Sequence, residues 1–436
     1  MKNIQDGLLN FLENSPSMFH VIDSIRKILE KEGYQYYPEY ELWNIKPGIK
    51  GFTIRNGSSI MAFQIPQDIE NTHFQISAAH SDSPSYKVKD ISVLEGPKDY
   101  LRINTEGYGG MIDSTWLDRP LTIAGRVMVD KGNKLESHLL YIDKDILMIP
   151  SLAIHMNRTV NDGYKFNRQV DLISLFSAGE LKADDFNKMI AGSIGVEADQ
   201  IVGKDLYLVN RQKPAIVGWK DEFICGGHLD DLQCVYGNLI GFIESNPSCI
   251  AVCSVFDNEE VGSGTKQGAL STFLYDTLRR ITNGLQKSEE EFYTMLAGSF
   301  MVSADNAHAL HPNHPEKTDA ENYALMNKGI VIKENGNQKY ATDALSRAIF
   351  KKICEMADVP VQRFANRSDM TGGSTLGNLS NTKVSIPTVD IGLAQLAMHS
   401  SYETAGYKDI EHLAKAMSQF FTSNIHIYGS ECIVIE

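Results

Sequence analysis

Cys249-Ile-Ala-Val-Cys-Ser-Val-Phe-Asp257-Asn-Glu259-Glu260-Val-Gly262 runs an apolar stretch straight into two adjacent glutamates. A short apolar run bounded by polar residues reads as a strand buried on both faces. Placing two carboxylates at its end is costly unless water or a cation meets them. Working outward, helical patterns alternate with further apolar strands. Helices are expected over Leu232 to Glu244, Gly264 to Thr282 and Thr342 to Ala357, and strands over Phe300 to Ala304 and Thr388 to Ile391. That alternation predicts an α/β fold, a layered sheet with helices on both faces.

Towards the N-terminus the pattern continues. Met1 to Gly33 is amphipathic, with Leu8, Phe11, Leu12, Val21, Ile22, Ile25 and Leu29 on helical spacings. Strands are expected at Gly51 to Ile54, Ile60 to Ile65 and His73 to His80, the last running into a polar loop. Between about Asp90 and Lys220 the texture changes. Leu121 to Val129 and Leu135 to Ile142 are strand-like and joined by the turn Asp130-Lys-Gly-Asn-Lys134. This β-rich unit interrupts the alternation, so residues 90–220 are expected as an insert splitting one domain into 1–89 and 221–436.

Composition bounds the function. The chain has 436 residues, with 41 Lys and Arg against 55 Asp and Glu, a formal charge of −14. Such a surplus opposes phosphate-backbone binding, so no nucleic-acid partner is expected. No apolar run approaches the roughly 20 residues of a membrane span, so no membrane partner is expected either. Cys225, Cys234, Cys249, Cys253, Cys354 and Cys432 include no Cys-x-x-Cys pair and read as buried, reduced thiols. A cytoplasmic location is expected. Thr371-Gly-Gly-Ser-Thr-Leu-Gly377 lacks the lysine of a phosphate-binding loop. It reads as a turn or as a loop shaping a pocket, with Asp369 and Ser374 as candidate substrate contacts.

Chemistry concentrates at the predicted strand ends, where ligands bind in open α/β sheets. The segments are Ala79-His80-Ser-Asp82-Ser-Pro84, Gly226-Gly-His228-Leu-Asp230-Asp231, the Glu259-Glu260 pair, Ser303-Ala-Asp305-Asn-Ala-His308, and Gln395-Leu-Ala-Met398-His399. Taken singly, each has an ordinary reading as a turn, a helix cap, a solvated strand end or a packed histidine. Jointly they supply the carboxylate and imidazole groups that zinc accepts. Five such ligands serve two metals if one carboxylate bridges, and paired metals activate water for hydrolysis. Asp82 is placed to orient a ligand such as His80. Of two adjacent glutamates, one can hold metal while its neighbour moves a proton.

These segments, with His311-Pro-Asn313, resemble the M18 family of metallo-aminopeptidases, the aspartyl aminopeptidase group, in order and across most of the chain. The resemblance implies metal ligands His80, Asp230, Glu260, Asp305 and His399, with Asp230 bridging two divalent ions, Zn2+ or alternatively Co2+ or Mn2+. His80 and Asp305 would complete one position, Glu260 and His399 the other. Glu259 would be the general base and Asp82 would orient His80. Lys333 matches a lysine placed for an acidic substrate side chain. His155 matches a histidine of the insert that reaches a neighbouring subunit's site.

The implied fold is an α/β zinc-peptidase domain, a mixed sheet flanked by helices, interrupted by a β-rich dimerisation domain and assembled as a tetrahedral dodecamer. The implied activity is removal of N-terminal residues, acidic ones included, from peptides with a free N-terminus. A related zinc hydrolase, a deacylase or carboxypeptidase, would instead need a pocket for a substrate carboxylate or acyl group. A non-catalytic assembly protein would be favoured by loss of a ligand or of Glu259, and none is lost. His228 and Asp231 depart from the family pattern, which often has a basic residue and an asparagine at those positions.

Overall fold

In the computed structural model, which describes residues 4–436, Ile250–Phe256 lies inside a nine-stranded mixed sheet. Across the sheet the strands run Gln35–Tyr36, Lys50–Arg55, Ser59–Gln64, Ile250–Phe256, Phe74–His80, Phe300–Ala304, Thr388–Gly392, Ile330–Glu334 and Val361–Ala365. Ile250–Phe256, Phe74–His80, Phe300–Ala304 and Thr388–Gly392 are mutually parallel. Their polar successors therefore all emerge at one edge.

Helices cover both faces, as the alternation predicted. On one face Leu8, Ile22, Leu232, Phe350 and Phe420 pack with Ala79 and Val255. On the other, Phe273, Leu278 and Phe292 pack with Ile76 and Ala78. Successive residues of one strand thus feed opposite cores, which explains its continuous apolarity. The helix Leu229–Glu244 lies very close to Asp409–Thr422. A Cβ on Gly237 or Gly241 would come within 2.6 Å of Leu413 or Met417 side-chain atoms. That close packing fixes the helix whose N-terminus carries Asp230.

A second, six-stranded sheet is ordered Leu135–Tyr141, Leu121–Asp130, Ile201–Asn210, Ser85–Glu95, Leu101–Tyr108 and Ser174–Ser177. It encloses its own core of Trp116, Ile123, Val127 and Phe186. The hairpin turn forms where expected, with Asp130 accepting the Gly132 N–H at 2.7 Å. The first strand of this sheet starts at Ser85, close behind His80. A third sheet joins Ala215–Val217, Phe223–Gly226, Glu403–Gly406, Ala394–Leu396 and Ala307–His308.

Several boundaries differ from the sequence reading. The N-terminal helix is two helices, Ile4–Glu13 and Met18–Lys31, because Pro16 cannot continue the first. The helix expected from Gly264 begins only at Phe273. Before it, the backbone folds so tightly that a Cβ on Gly268 would lie 2.3 Å from the Ser263 carbonyl oxygen. Asp185–Ile194, Glu289–Ala297 and Asp409–Thr422 are helices the reading did not name. Among the described residues all six cysteines are unpaired, and Cys432 is exposed rather than buried. No helix among them is long and apolar enough to cross a membrane.

Candidate metal centre

Each central strand delivers a residue to the common edge. His80 ends its strand, Glu259 and Glu260 follow Phe256, and Asp305 follows Ala304. His399 lies beyond Ala394–Leu396 of the third sheet, and Asp230 sits in the first turn of Leu229–Glu244. There Asp230 and Asp231 have non-helical backbone angles, so their side chains leave the helix surface.

The five sequence-predicted ligands converge. His399 Nε2 lies 3.3 Å from Asp230 Oδ2 and 3.4 Å from Glu260 Oε1, and His80 Nε2 lies 3.7 Å from Asp230 Oδ1. Potential ligand atoms fall in three groups, each within 4.8 Å internally: His80, Asp230, Asp231 and Asp305; His80, Glu259 and Glu260; Asp230, Glu260 and His399. The first and third share Asp230. Both imidazoles turn Nδ1 onto a backbone carbonyl, His80 to Asp82 O at 3.0 Å and His399 to Gly110 O at 2.7 Å. A carbonyl only accepts, so Nδ1 carries hydrogen and Nε2 faces the carboxylates, the tautomer a metal requires.

The donor set fits divalent cations. Asp230 Oδ1, Asp231 Oδ1 and Glu260 Oε1 are buried and meet no hydrogen-bond donor, a costly arrangement without positive charge. Burial first, and then the neighbouring carboxylates, push Glu259 up to about 8 and Glu260 and Asp231 well above the usual carboxylate range. Burial alone would lower His399, but Asp230 and Glu260 hold it at about 10. A bound cation would relieve this crowding and displace the protons.

Each of the five is also held through its backbone by a charged side chain. Asp231 Oδ2 accepts the His80 N–H at 3.2 Å, and Asp82 Oδ2 accepts the Glu260 N–H at 3.1 Å. Glu403 accepts the N–H groups of Asp230 and His399 at 3.0 and 2.7 Å. Lys333 Nζ donates to the Asp305 carbonyl at 2.7 Å. Asp82 reaches His80 Nδ1 only at 3.5 Å but also accepts the Glu259 N–H and the Tyr108 hydroxyl. It therefore braces the glutamate pair as much as the histidine.

A cavity of about 170 Å3 opens over the cluster, lined by Glu259, Asn306, His308, Lys333, Tyr340, Phe364 and Ser374 among others. The Thr371–Gly377 loop contributes Gly373, Ser374 and Thr375 to its wall, while Asp369 pairs with Arg367 instead. Asp231, flagged as a departure, joins the first ligand group. His228 lines a separate cavity with Asn14, Arg211 and Lys213. His155 is exposed, away from this cavity on its own chain.

Residues 11–421 match the profile of the Aminopeptidase I zinc metalloprotease (M18) family. The chain belongs to the M18 family. It is 44% identical over 433 residues to a probable M18 family aminopeptidase 2 of Clostridium novyi, covering 97% of this chain and all of that one. Among solved structures it superimposes on Ape4, determined with Nbr1, at a TM-score of 0.94 and 34% identity, covering 97% of this chain and 86% of that chain. The S. cerevisiae mApe1 dodecamer follows at 0.85 and 27%, with 96% of each chain covered. This M18 chain is accordingly a metal-dependent aminopeptidase, a hydrolase acting on N-terminal peptide bonds.

Sequence reading passed over Glu403, Tyr108 and Gly110. Glu403 left one signal, an acidic residue four positions after His399 in a short strand of small residues. Tyr108 and Gly110 left none, since tertiary structure alone brings them to the edge. Zinc is expected to raise the melting temperature of chelator-stripped protein, with a gain that shrinks from about pH 8 to about pH 6 as protons compete for the ligands. A melting temperature indifferent to zinc would remove the metal assignment.

Proposed function

We propose that His80, Asp230, Glu260, Asp305 and His399 hold two divalent ions, zinc by preference, with Asp230 shared, and that Glu259 is the base. The carrying observation is that two ligand groups meet at Asp230 with Glu259 beside them. When bound, the ions supply Lewis acidity that polarises the scissile carbonyl and eases proton loss from water. Glu259 lines the cavity beside the ligand groups, placed to take a proton from water once cations relieve the crowding and to return it to the leaving amine. Asp82 fixes the Glu259 backbone and so the height of that carboxylate over the cavity. The substrate's free amine would meet the acidic edge, and its first side chain would enter the space lined by His308, Tyr340, Phe364 and Ser374.

An acidic first residue is part of the proposal, with Lys333 as its recognition group. Lys333 lines the cavity, but it is 3% exposed and also lies 3.5 Å from Asp305 Oδ1. Its charge thus serves Asp305 before any substrate. Self-association is the other part. The stretch around His155 exposes Met148, Leu152, Ile154, Met156 and Val170, an apolar surface that favours a second copy. We place the insert 90–220 as the dimerising domain, with His155 entering a neighbour's site in a dodecamer like that of mApe1. The unpaired cysteines suit a reducing cytoplasm.

Glu259→Gln is expected to lower kcat about 100- to 10,000-fold while zinc content by elemental analysis stays unchanged; full turnover would sink the base assignment. Lys333→Ala should cut kcat/KM on Asp and Glu anilides by at least about tenfold more than on Leu anilide. Equal losses on all substrates would instead make Lys333 a support for Asp305. Mixing His155→Ala with Glu259→Gln subunits should recover activity that neither variant has alone. No recovery after confirmed subunit exchange would place His155 outside the site.

A further inference from the structure

Glu403 opens the strand Glu403–Gly406 in the third sheet and is 2% exposed. On one side this strand pairs with Phe223–Gly226, which leads into Asp230. On the other it pairs with Ala394–Leu396, which leads into His399. Both carboxylate oxygens are used: Oε2 accepts the Asp230 N–H at 3.0 Å and Oε1 accepts the His399 N–H at 2.7 Å. Neither donor has a ready partner in regular structure. Asp230 is in the first turn of its helix, where no carbonyl lies four residues back. His399 lies outside the strands and has φ of 66°, a conformation sparsely populated for residues other than glycine.

We propose that Glu403 is a positioning residue of the metal centre, fixing the backbones of Asp230 and His399 so that their side chains share one metal position. This rests on the metal reading above. The other braces each hold the backbone of one ligand residue, whereas Glu403 holds the backbones of two, and those two meet at 3.3 Å. Its role follows from having two acceptor oxygens facing two N–H donors. A glutamine of the same shape would turn an NH2 group onto one of those donors. The affected ligand would then lose its register without any change in side-chain volume.

The test uses the full-length protein, wild type and Glu403→Gln, stripped of metal. Zinc affinity is measured by competition with a chromophoric chelator, and thermal unfolding of the zinc-free forms by circular dichroism. The expected result is zinc binding weakened about 10- to 100-fold, with the zinc-free melting temperature close to that of wild type. Unchanged zinc affinity would overturn the assignment. Collapse of the zinc-free variant would overturn it too, by making Glu403 a brace of the fold itself. Zinc failing to bind the wild type would remove the metal reading as well, so the two failures are distinguishable. If Glu403→Gln scatters the centre as argued, Glu403→Ala should weaken zinc at least as much, because both N–H groups then lack acceptors.

Discussion

A carboxylate taken out of water without a cation costs several kcal/mol, and this chain buries Asp82, Asp230, Asp231, Asp305 and Glu403 at one sheet edge. The Glu260 carboxylate is 3% exposed beside them. Among the described residues, Lys333 is a permanent cation in contact with this group, through Asp305. Nothing in the packing of the strands requires such crowding, since the apolar cores on both faces would form equally well with neutral residues there. The arrangement is tolerable because positive charge is meant to arrive, and the rest of the structure can be read as what holds the carboxylates in place until it does.

That holding is done mainly through the backbone. Asp231, Asp82, Glu403 and Lys333 contact the main chain of His80, Glu260, Asp230, His399 and Asp305. Asp231, Asp82 and Lys333 come from different segments than the residues they hold, and Glu403 ties His399, four residues before it, to the distant Asp230. Parallel strands bring the ligands to a common edge, but strand ends fray into loops whose backbones are free to move. Charge-assisted hydrogen bonds, roughly twice as strong as neutral ones, replace the ladder that the loops lack. The ligand side chains thereby keep their own oxygens and Nε2 atoms uncommitted.

This division also marks what was legible in the sequence. Candidate ligands at the ends of apolar strands were readable, because His80 directly after Ala79, Asp305 directly after Ala304 and the glutamate pair just beyond Phe256 contrast with what precedes them. Of the braces, Asp82 was readable beside His80 and Asp231 beside Asp230, but Glu403 was not. Glu403 sits in a third sheet whose strands span as few as two residues, too short for any periodicity to register. Lys333 was legible only through resemblance, and its contact with Asp305 comes from strand order rather than spacing. Likewise, the amphipathic pattern reads as continuous across Pro16, where the structure breaks the helix in two.

The second sheet bears directly on the cluster at the edge of the first. Tyr108, at the end of Leu101–Tyr108, donates to Asp82 and accepts from Asn258. Just beyond it, Gly110 sets the tautomer of His399, and Ile112 donates to the His399 carbonyl. A Cβ on Gly109 would lie 3.2 Å from Glu260 Cβ, so the segment passes tightly over the glutamate. This segment thus closes one wall of the cluster, orienting both His399 and Asp82, which holds the Glu259 backbone.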